Sequence, residues 1–525
     1  MTLKKTIAVL TAAALAVGMA ACSSGSGGSG GDGNYIVVNS TEPQHPLLPG
    51  DTNENGGGRI IDMINSGLMY YDAEGKAKKD LAESIELEGE KTYRITLKDG
   101  MSFSDDTPIK ADNFVKAWNY VVEHDQLGSS YFESIQGYES GKPMEGLKVV
   151  DDKTFTVELN QPEADFPNRL GYQAFFPLPD SAFDDMDAYG EKPVSSGPYK
   201  LQEWSHNESA TIVPNDSYKG DRKAQNEGVK FVFYPQLDPA YADLLAGQLD
   251  VLDTVPDSAM TSFQQELGDR AVNKSVAYFQ SFTIPQKLEH FSGEEGKLRR
   301  QALSLAINRE EVTEKIFNKT RVPAKDFTAP VAEGYSADIA GNDVLAYNPE
   351  KAKELWAKAD EMSPFTGEFS IAYNADGGHQ GWVDAVTNSI KNTLGIEAVG
   401  NPYPDFKSLR DDITNRTISS AFRSGWQGDY PGLGNFLVPL YGTGGSSNDG
   451  DYSNPDFDAK LKEAAGAKTS EESNALYNQS QETLFKDLPA IPLWYSNVTG
   501  GYSENVSNVD FGWNTTPLYY KITRK

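Results

Sequence analysis

Four short stretches of the chain carry the hydrophobic pattern of β-strands. They are Tyr35–Asn39, Thr92–Leu97, Thr154–Leu159 and Val229–Tyr234. In Thr92–Leu97 the apolar side chains stand at every second position, and successive side chains of a strand point to opposite faces of its sheet. This alternation predicts strands that turn one face toward a hydrophobic core.

Helical periodicity marks other stretches. In Ala111–Glu123 the apolar residues recur every three or four positions, which places them on one face of an α-helix. The same spacing predicts a helix over Leu298–Asn308, a second helix that begins near Glu310, and a late helix that stops at Pro489. Because strands and helices are mixed over the whole length, the predicted fold class is α/β.

The N-terminus has the composition of a secretory signal peptide. Lys4 and Lys5 precede an apolar run, residues 6–21, that is shorter than the ~20 apolar residues of a membrane-spanning helix. A positive flank, a short apolar stretch and small residues before a cleavage point are typical of an export signal. We therefore predict that residues 1–21 are removed and that the mature chain begins at Cys22.

Cys22 is the single cysteine of the chain, which excludes an intramolecular disulfide and a cysteine-based metal site. It ends the tetrapeptide Met-Ala-Ala-Cys, which resembles a bacterial lipobox, where the cysteine is acylated. Residues 22–33 are this cysteine and a nearly pure Ser/Gly segment, which is expected to be a flexible tether. The resemblance implies a lipoprotein, held at the extracytoplasmic face of the bacterial cell membrane by its lipid (palmitate) anchor alone. The alternative is an incidental cysteine in a cleaved leader.

Size and charge narrow the range of folds and partners. About 500 residues remain after the leader, which is too many for one hydrophobic core, so we expect two or three domains. The formal net charge is -29 at pH 7. Such an acidic surface repels nucleic acid and anionic lipid, and neither is therefore an expected partner.

No motif for catalysis stands out in the sequence. Glycine-rich strings that match a dinucleotide fingerprint and a nucleophile elbow lie inside the tether, with neither a strand before them nor a helix after them. The five histidines are far apart along the chain and form no two-histidine helical motif, which argues against a zinc site. We therefore expect that the chain is not an enzyme and that it holds no metal and no cofactor.

Four segments, in order along the chain, carry a family resemblance. They are residues 97–108 (LKDGMSFSDDTP), 193–200 (PVSSGPYK), 298–309 (LRRQALSLAINR) and 488–493 (LPAIPL). Together they cover nearly all of the mature chain and resemble the large solute-binding proteins of ABC importers, the peptide- and nickel-binding group known as family 5. That family usually has glycine at Asp106 and a helix-capping threonine or serine at Lys110, where this chain departs from the pattern.

The resemblance implies a two-lobed, periplasmic-binding-protein-like fold with a hinge and an additional third domain. Lobe I would comprise residues 34–69, 181–281 and 500–525, the additional domain residues 70–180, and lobe II residues 282–499. The solute would lie in the cleft between the lobes, which would close over it because only the closed state contacts it from both sides. The implied partner is the permease and ATPase complex of an ABC importer, to which a monomer would deliver the solute.

The stretch Phe422–Tyr430, FRSGWQGDY, closely resembles the oligopeptide-binding branch of the family. By that resemblance Asp429 would take the α-ammonium group of a peptide and Arg423 would help to neutralise its carboxylate. The backbone from Gly425 to Gln427 would pair with the peptide as an added strand. A short peptide offers two charged ends and a backbone of donors and acceptors, and such a site satisfies all of them. Asp429 and Arg423 could instead pair with charges of the protein itself.

Three further residues complete the candidate site. Trp426 would form a wall of the cleft or else belong to the core. Glu42 follows the first predicted strand and resembles a glutamate that lines the cleft in the peptide-binding branch, with a solvated turn residue as the alternative. Tyr131 resembles a tyrosine that reaches the cleft from the additional domain. With the Phe422–Tyr430 stretch, these residues predict oligopeptides as the solute.

Two other functions stay open. A protein of the same fold could bind an oligosaccharide or another non-peptide solute through stacked aromatic rings and neutral polar groups, and the chain has 26 Tyr and 7 Trp to offer. A sensor or adhesin could bind peptides without delivering them to an importer. Loss of binding on removal of Asp429 would separate the peptide reading from the sugar reading.

Overall fold

The computed structural model describes residues 34–525, so Cys22 and the predicted signal peptide and tether lie outside the described residues. Strands and helices are mixed throughout this part of the chain. The strands are β1 Ile36–Ser40, β2 Met69–Tyr71, β3 Ala77–Lys79, β4 Ala82–Glu88, β5 Thr92–Leu97, β6 Leu147–Asp151, β7 Thr154–Glu158, β8 Tyr199–Ser205, β9 Ser209–Pro214, β10 Val229–Phe233, β11 Val251–Leu252, β12 Ala271–Thr283, β13 Arg321–Pro323, β14 Glu368–Asn374, β15 Glu397–Tyr403, β16 Ala421–Gln427, β17 Ala490–Tyr502, β18 Val506–Ser507 and β19 Thr523–Arg524. The helices are α1 Asn55–Ile64, α2 Ala111–Glu123, α3 Phe166–Arg169, α4 Met186–Glu191, α5 Leu237–Leu245, α6 Phe263–Leu267, α7 Gly293–Leu305, α8 Arg309–Lys315, α9 Pro349–Met362, α10 Gln380–Leu394, α11 Phe406–Thr414, α12 Leu433–Tyr441, α13 Pro455–Ala465 and α14 Ser470–Asp487.

The strongest sequence patterns gave the right elements. Strand β5 and helix α2 have the predicted limits, and the alternate apolar residues of β5 are buried. The helix predicted over Leu298–Asn308 is α7, which begins earlier, at Gly293, and ends at Leu305. Its first turn is rich in charged residues and carries no apolar periodicity, so the pattern missed the start.

Eleven strands form one large mixed sheet. Ten of them lie in the order β15-β14-β16-β12-β17-β11-β1-β10-β9-β8, and β13 pairs with β17 beside this path. A buried cluster that includes Ile36 and Phe231 packs around the β1–β10 half of the sheet. A larger buried cluster that includes Phe282 and Ile371 packs around the β14–β16 half. The sheet therefore has two halves, each with its own core.

Two long strands, β12 and β17, run through both halves of this sheet. Residues 271–275 of β12 pair with residues 497–501 in the first half, and residues 279–283 pair with residues 490–495 in the second half. The register shifts between Ser275 and Phe279, where the two halves meet. The halves are thus joined by a continuous but irregular ribbon of two strands.

A separate four-stranded antiparallel sheet, β4-β5-β7-β6, packs against α2. Its buried centre is aromatic, with the Phe114 and Phe155 rings stacked at 5.7 Å between centroids. At the start of α2, where the Ser or Thr cap is missing, the Lys110 backbone N–H donates to the side-chain oxygen of Asn113 at 2.8 Å, and the Asn113 backbone N–H donates to the Lys110 carbonyl oxygen at 3.1 Å. The limits of this layer as a domain, and those of the two lobes, remain predictions.

Candidate functional site

A cavity of about 350 Å³ lies beside the end of β16, and we call it the larger cavity. Six parts of the chain line it. These are residues 53–63 at the start of and within α1, residues 71–72, residues 171–173, residue 222, residues 427–429 at the end of β16, and residues 512–520 near the C-terminus. Segments that are distant in sequence therefore converge on the predicted Gln427 and Asp429.

Asp429 is the acidic residue of the larger cavity that lacks a counter-charge. The carboxylates of Asp62 and Asp72 each lie near a basic side chain, and Glu54 caps the N-terminus of α1. The Oδ2 atom of Asp429 accepts a hydrogen bond from the neutral amide of Asn435 at 3.1 Å. Among residues 34–525, no basic side chain forms an ion pair with Asp429.

Tyr131 and Tyr172 approach Asp429 from the region of the four-stranded sheet. Their rings lie 4.3 Å apart between centroids, and the Tyr131 hydroxyl lies beside the Asp429 carboxylate. Burial raises the pKa of Asp429, and its contacts with Asn435 and Tyr131 offset this only in part. Burial also raises the pKa of Tyr131, and that of Tyr172 to about 12, so both hydroxyls stay neutral at pH 7. Asp429 is therefore a desolvated carboxylate that a nearby cation would stabilise.

Asn435 joins Asp429 to Trp426. Its Oδ1 atom accepts hydrogen bonds from the Asp429 backbone N–H and from the Trp426 indole N–H, both at 3.0 Å. Asn435 is buried in α12, outside the segment that carries the family resemblance. The sequence alone did not point to Asn435 for this reason, although its position six residues after Asp429 offered a local signal.

Most of the outer edge of β16 has no strand partner. Strand β12 pairs with β16 from Phe422 to Gln427, whereas β14 pairs with it only at Ala421 and Phe422. From Arg423 to Gln427, no other strand of the described chain pairs with this edge. A side chain at Gly425 would place its Cβ 3.0 Å from the Phe279 carbonyl oxygen, so glycine suits this position. The exposed backbone of Gly425 and Gln427 can thus accept another extended chain.

Arg423 lies toward the other end of β16, against a second cavity of about 150 Å³, which we call the smaller cavity. Its Nε–H donates to the side-chain oxygen of Asn374 at 2.9 Å. Its guanidinium carbon lies 4.8 Å from the centre of the Phe406 ring. Gly425 and Trp426 line the same cavity. Asn374 and Phe406 position Arg423, and the sequence analysis named neither because both are distant in sequence.

Glu42 lies in a different environment. Its carboxylate accepts a hydrogen bond from the Asn207 backbone N–H at 2.9 Å and contacts Nδ1 of His206 at 2.8 Å. The other ring nitrogen of His206 lies 3.0 Å from Glu191, and hydrogen bonding to Glu42 is the main cause that raises the pKa of His206. Glu42 lines neither cavity. The structure does not bring it together with Asp429 or Arg423, and its role in binding remains a prediction.

No group of three or more His, Cys, Asp or Glu side chains in residues 34–525 is arranged to hold a metal ion. Within the same range, every helix is too short or too polar to cross a bilayer.

The sequence profile of the bacterial extracellular solute-binding proteins, family 5 middle region, matches residues 76–448. The chain is 24% identical to the oligopeptide-binding protein OppA of Bacillus subtilis (strain 168) over 525 residues, with 94% of each chain covered. These matches agree with the resemblance carried by the four segments of the sequence.

Solved structures of similar fold cover almost the whole chain. The unliganded open form of the periplasmic murein tripeptide-binding protein MppA is similar with a TM-score of 0.82 and 21% identity, covering 94% of this chain and 98% of that one. The Haemophilus influenzae OppA complex with RPPGFSPFR is similar with a TM-score of 0.70 and 22% identity, covering 94% and 99%. The predicted α/β fold, two-lobed and periplasmic-binding-protein-like, is thereby confirmed.

Proposed function

The chain belongs to the bacterial extracellular solute-binding proteins of family 5, and we propose that it captures oligopeptides in its interlobe cleft and delivers them to an ABC importer. The family assignment confirms the expectation of a binding protein and not an enzyme. It also agrees with a location outside the cytoplasm. The peptide, the residues that hold it and the mode of anchoring are the content of the proposal.

One observation carries this proposal: the open edge of β16 runs directly into a partly buried carboxylate that has no counter-charge. A peptide strand can pair with an exposed strand edge through its backbone, whatever its side chains are. Its N-terminal ammonium group can then replace the missing cation beside Asp429. Sugars have neither a strand-like backbone nor an obligatory cation, so a sugar would neither pair with the edge of β16 nor neutralise Asp429.

The remaining site residues fit the same arrangement. Asp429 binds the ammonium group, with Tyr131 covering it, and Gly425 and Gln427 offer the pairing backbone. Arg423 lies six residues before Asp429, and a strand advances about 3.3 Å per residue, so the two residues are at most roughly 20 Å apart. This span suits the two ends of a peptide of about five or six residues.

The similar proteins support peptides as the solute class. The Bacillus subtilis relative is named an oligopeptide-binding protein, and the Haemophilus influenzae protein was solved with a nine-residue peptide, RPPGFSPFR. Identity to both is below 25%, so the residues of this chain must carry the assignment.

A titration of the refolded protein tests the proposal. The protein is unfolded and refolded to remove bound solute, and thermal shift and native mass spectrometry follow the addition of short peptides, the same peptides with acetylated N-termini, and oligosaccharides. We expect stabilisation by the free peptides and its loss on acetylation, because acetylation removes the cation that Asp429 needs. Stabilisation by oligosaccharides alone would overturn the peptide assignment and leave the fold and family intact.

The lipid anchor belongs to the same proposal. Cys22 lies outside the described residues, and its place after a short apolar leader and before a Ser/Gly segment supports acylation. Replacement of Cys22 by alanine in the full chain is expected to move the protein from the membrane fraction to the soluble fraction, as followed by immunoblotting of fractionated cells. Unchanged membrane retention of the variant would contradict lipid anchoring.

A further inference from the structure

A buried carboxyl group lies between two parts of the chain, beside the loop that follows Asp429. It belongs to Asp165, which directly precedes α3 and is 6% exposed. It packs against residues 430–434, which lead from the candidate site into α12. We call the packing of residues 163–169 against residues 430–434 the Asp165 contact. By the predicted domain limits, this contact joins the additional domain to lobe II.

Two glycines make room for this carboxyl group. A Cβ atom at Gly432 would lie 2.7 Å from Oδ2 of Asp165, which is closer than two such atoms can approach without a shift. A Cβ atom at Gly434 would lie 3.3 Å from the same oxygen and 2.9 Å from the Tyr477 hydroxyl. A side chain at Gly432 would therefore push the loop away from Asp165. The loop and the carboxyl group are thus in direct contact, and each constrains the position of the other.

The hydrogen-bonding capacity of the Asp165 carboxyl group is only partly used. Its Oδ1 atom accepts a hydrogen bond from the side-chain amide of Asn168 at 2.7 Å. Its Oδ2 atom is buried and has no hydrogen-bond partner among residues 34–525. The Arg169 guanidinium forms its ion pair with Glu163 instead. A buried, ionised oxygen without a partner is costly, whereas a protonated carboxyl group is accommodated at a lower free energy.

The groups that face Asp165 leave its charge poorly balanced. The titratable ones are two acids, one base and four tyrosines, namely Glu163, Glu333, Arg169, Tyr71, Tyr93, Tyr430 and Tyr477. Burial raises the pKa of all four tyrosines, so they are neutral at pH 7. Burial is also the main cause that raises the pKa of Asp165 to about 7. The two acids add to this rise, and hydrogen bonding to Asn168 and the charge of Arg169 oppose it.

The raised pKa couples the stability of the Asp165 contact to pH. When the contact opens, Asp165 meets water and its pKa returns to the unperturbed value of ~3.9. The packed form binds the proton more tightly than the open form, so opening releases the proton and becomes more favourable as the pH rises. The contact is therefore most stable below about pH 4 and loses stability as the pH rises through about 7.

We propose that the Asp165 contact is a pH-sensitive switch, which holds the loop after Asp429 in place when Asp165 is protonated and releases it when Asp165 is ionised. The loop continues the backbone directly from Asp429, so its release frees one side of the proposed anchor. This inference goes beyond the proposed function, because it does not depend on which solute the cleft holds. It links the conformation of the candidate site to the pH of the surroundings.

Hydrogen–deuterium exchange of the ligand-free full chain tests the switch. The Ala164 N–H reports on the contact, because it donates to the Ala465 carbonyl oxygen at 2.8 Å, and the Glu333 N–H reports on the loop, because it donates to the Pro431 carbonyl oxygen at 2.8 Å. After correction for the intrinsic pH dependence of exchange, we expect the opening constant at both amides to rise about 10- to 100-fold between pH 5 and pH 8. In Asp165→Asn, which keeps the shape of the side chain and cannot ionise, we expect a rise of less than about twofold.

Two further variants separate Asp165 from its neighbours. Asp429→Asn removes the other carboxylate near the loop whose pKa is raised by burial, and the pH dependence of exchange is expected to remain. Gly432→Ala pushes the loop away from Asp165, so we expect fast exchange at every pH and a flat profile. Gly381→Ala is the matched control for this substitution, since a Cβ atom at Gly381 would meet no atom closer than 3.9 Å.

Three results would overturn the switch. They are an exchange profile of the parent that does not change with pH, a profile of Asp165→Asn that still rises with pH, and a loss of the pH dependence in Asp429→Asn. If Asp165→Asn does not fold, Gly432→Ala decides the question, because a profile that keeps the pH dependence of the parent overturns the inference. None of these measurements uses a peptide, so a failure of the proposed function leaves the switch standing.

Discussion

Two acidic residues that the sequence analysis placed in the same cleft have opposite environments. Glu42 is half-exposed and already has partners, a histidine ring nitrogen and a backbone N–H. Asp429 is more deeply buried, touches neutral groups, and lies at the end of an open strand edge. The comparison teaches that an acidic residue becomes a candidate anchor through the partner it lacks, which sequence similarity alone does not reveal.

The physical basis of the difference is desolvation. A buried carboxylate without a cation is held at a free-energy cost, and a ligand cation that enters the site relieves that cost. A carboxylate that already contacts a histidine and an N–H group gains little from another donor. Binding free energy should therefore depend strongly on Asp429 and weakly on Glu42.

Replacement of Asp429 by asparagine tests whether the binding free energy depends strongly on this carboxylate. The variant keeps the shape of the side chain and removes its charge, and we expect peptide affinity to fall by ~2–5 kcal/mol. Isothermal titration calorimetry with a free-amine peptide measures this loss. Asp412→Asn is the matched control, because Asp412 also accepts hydrogen bonds from neutral hydroxyl groups but lines neither cavity.

The same variant has a stability signature. Burial raises the pKa of Asp429 in the folded protein. The free energy of unfolding therefore falls as the pH rises from the unfolded pKa of ~3.9 through the higher folded pKa. The ligand-free Asp429→Asn protein is therefore expected to be at least as stable as the parent at pH 7. A variant that loses both affinity and stability would indicate a structural role for Asp429.

Asn435→Ala is expected to have an intermediate effect. It leaves the Asp429 N–H and the Trp426 indole N–H without their shared acceptor, which removes the support of the anchor but keeps its charge. An unsatisfied buried donor costs about 1–3 kcal/mol of stability. Peptide affinity should fall by less than in Asp429→Asn, and an affinity loss of equal size would show that the position of the carboxylate matters as much as its charge.

Glu42→Gln tests whether the binding free energy depends only weakly on Glu42. Because the Glu42 carboxylate already has two partners and lines neither cavity, we expect less than about a threefold loss of peptide affinity, or about 0.7 kcal/mol. Calorimetry with the peptide used for Asp429→Asn gives a direct comparison. A loss as large as that of Asp429→Asn would place Glu42 in contact with the ligand.

The smallest effect concerns the stability contributed by His206. Hydrogen bonding to Glu42 raises the pKa of His206, so its contribution is fully present below the unfolded pKa of ~6.5 and is lost as the pH rises through the higher folded value. The side chain is 51% exposed, so solvent screening keeps this contribution below about 1 kcal/mol. Melting temperatures of the parent and His206→Gln should converge between pH 6 and pH 9, and a constant difference would contradict the assignment.

The sequence predicted what depends on local patterns. Strand β5 and helix α2 have alternating and helical periodicity, and both formed with the predicted limits. The long strand β17 was not predicted, because Pro492, Gly500 and Gly501 interrupt any alternation. The strand crosses from one core to another, so no single burial pattern can run along it.

In the candidate site, too, the sequence predicted the residues of one local stretch but not the residues that tertiary packing brings to it. Asp429, Gln427 and Trp426 were named from one continuous stretch, and the structure places them around Asn435 and the two cavities. Tyr172 and Phe406 were not named, because they reach the site only through tertiary packing. The partners of Glu42 are more than 160 residues away along the chain, so the sequence could not show that its carboxylate was engaged.

The shared ribbon of β12 and β17 has a consequence for how the protein unfolds. Each half of the large sheet uses part of both strands, so neither half can lose its structure without fraying the edge of the other. We expect amide hydrogens on both sides of the register shift to exchange with solvent in one cooperative unit. The four-stranded sheet around α2 shares no strand pair with this ribbon, so it can open and exchange independently.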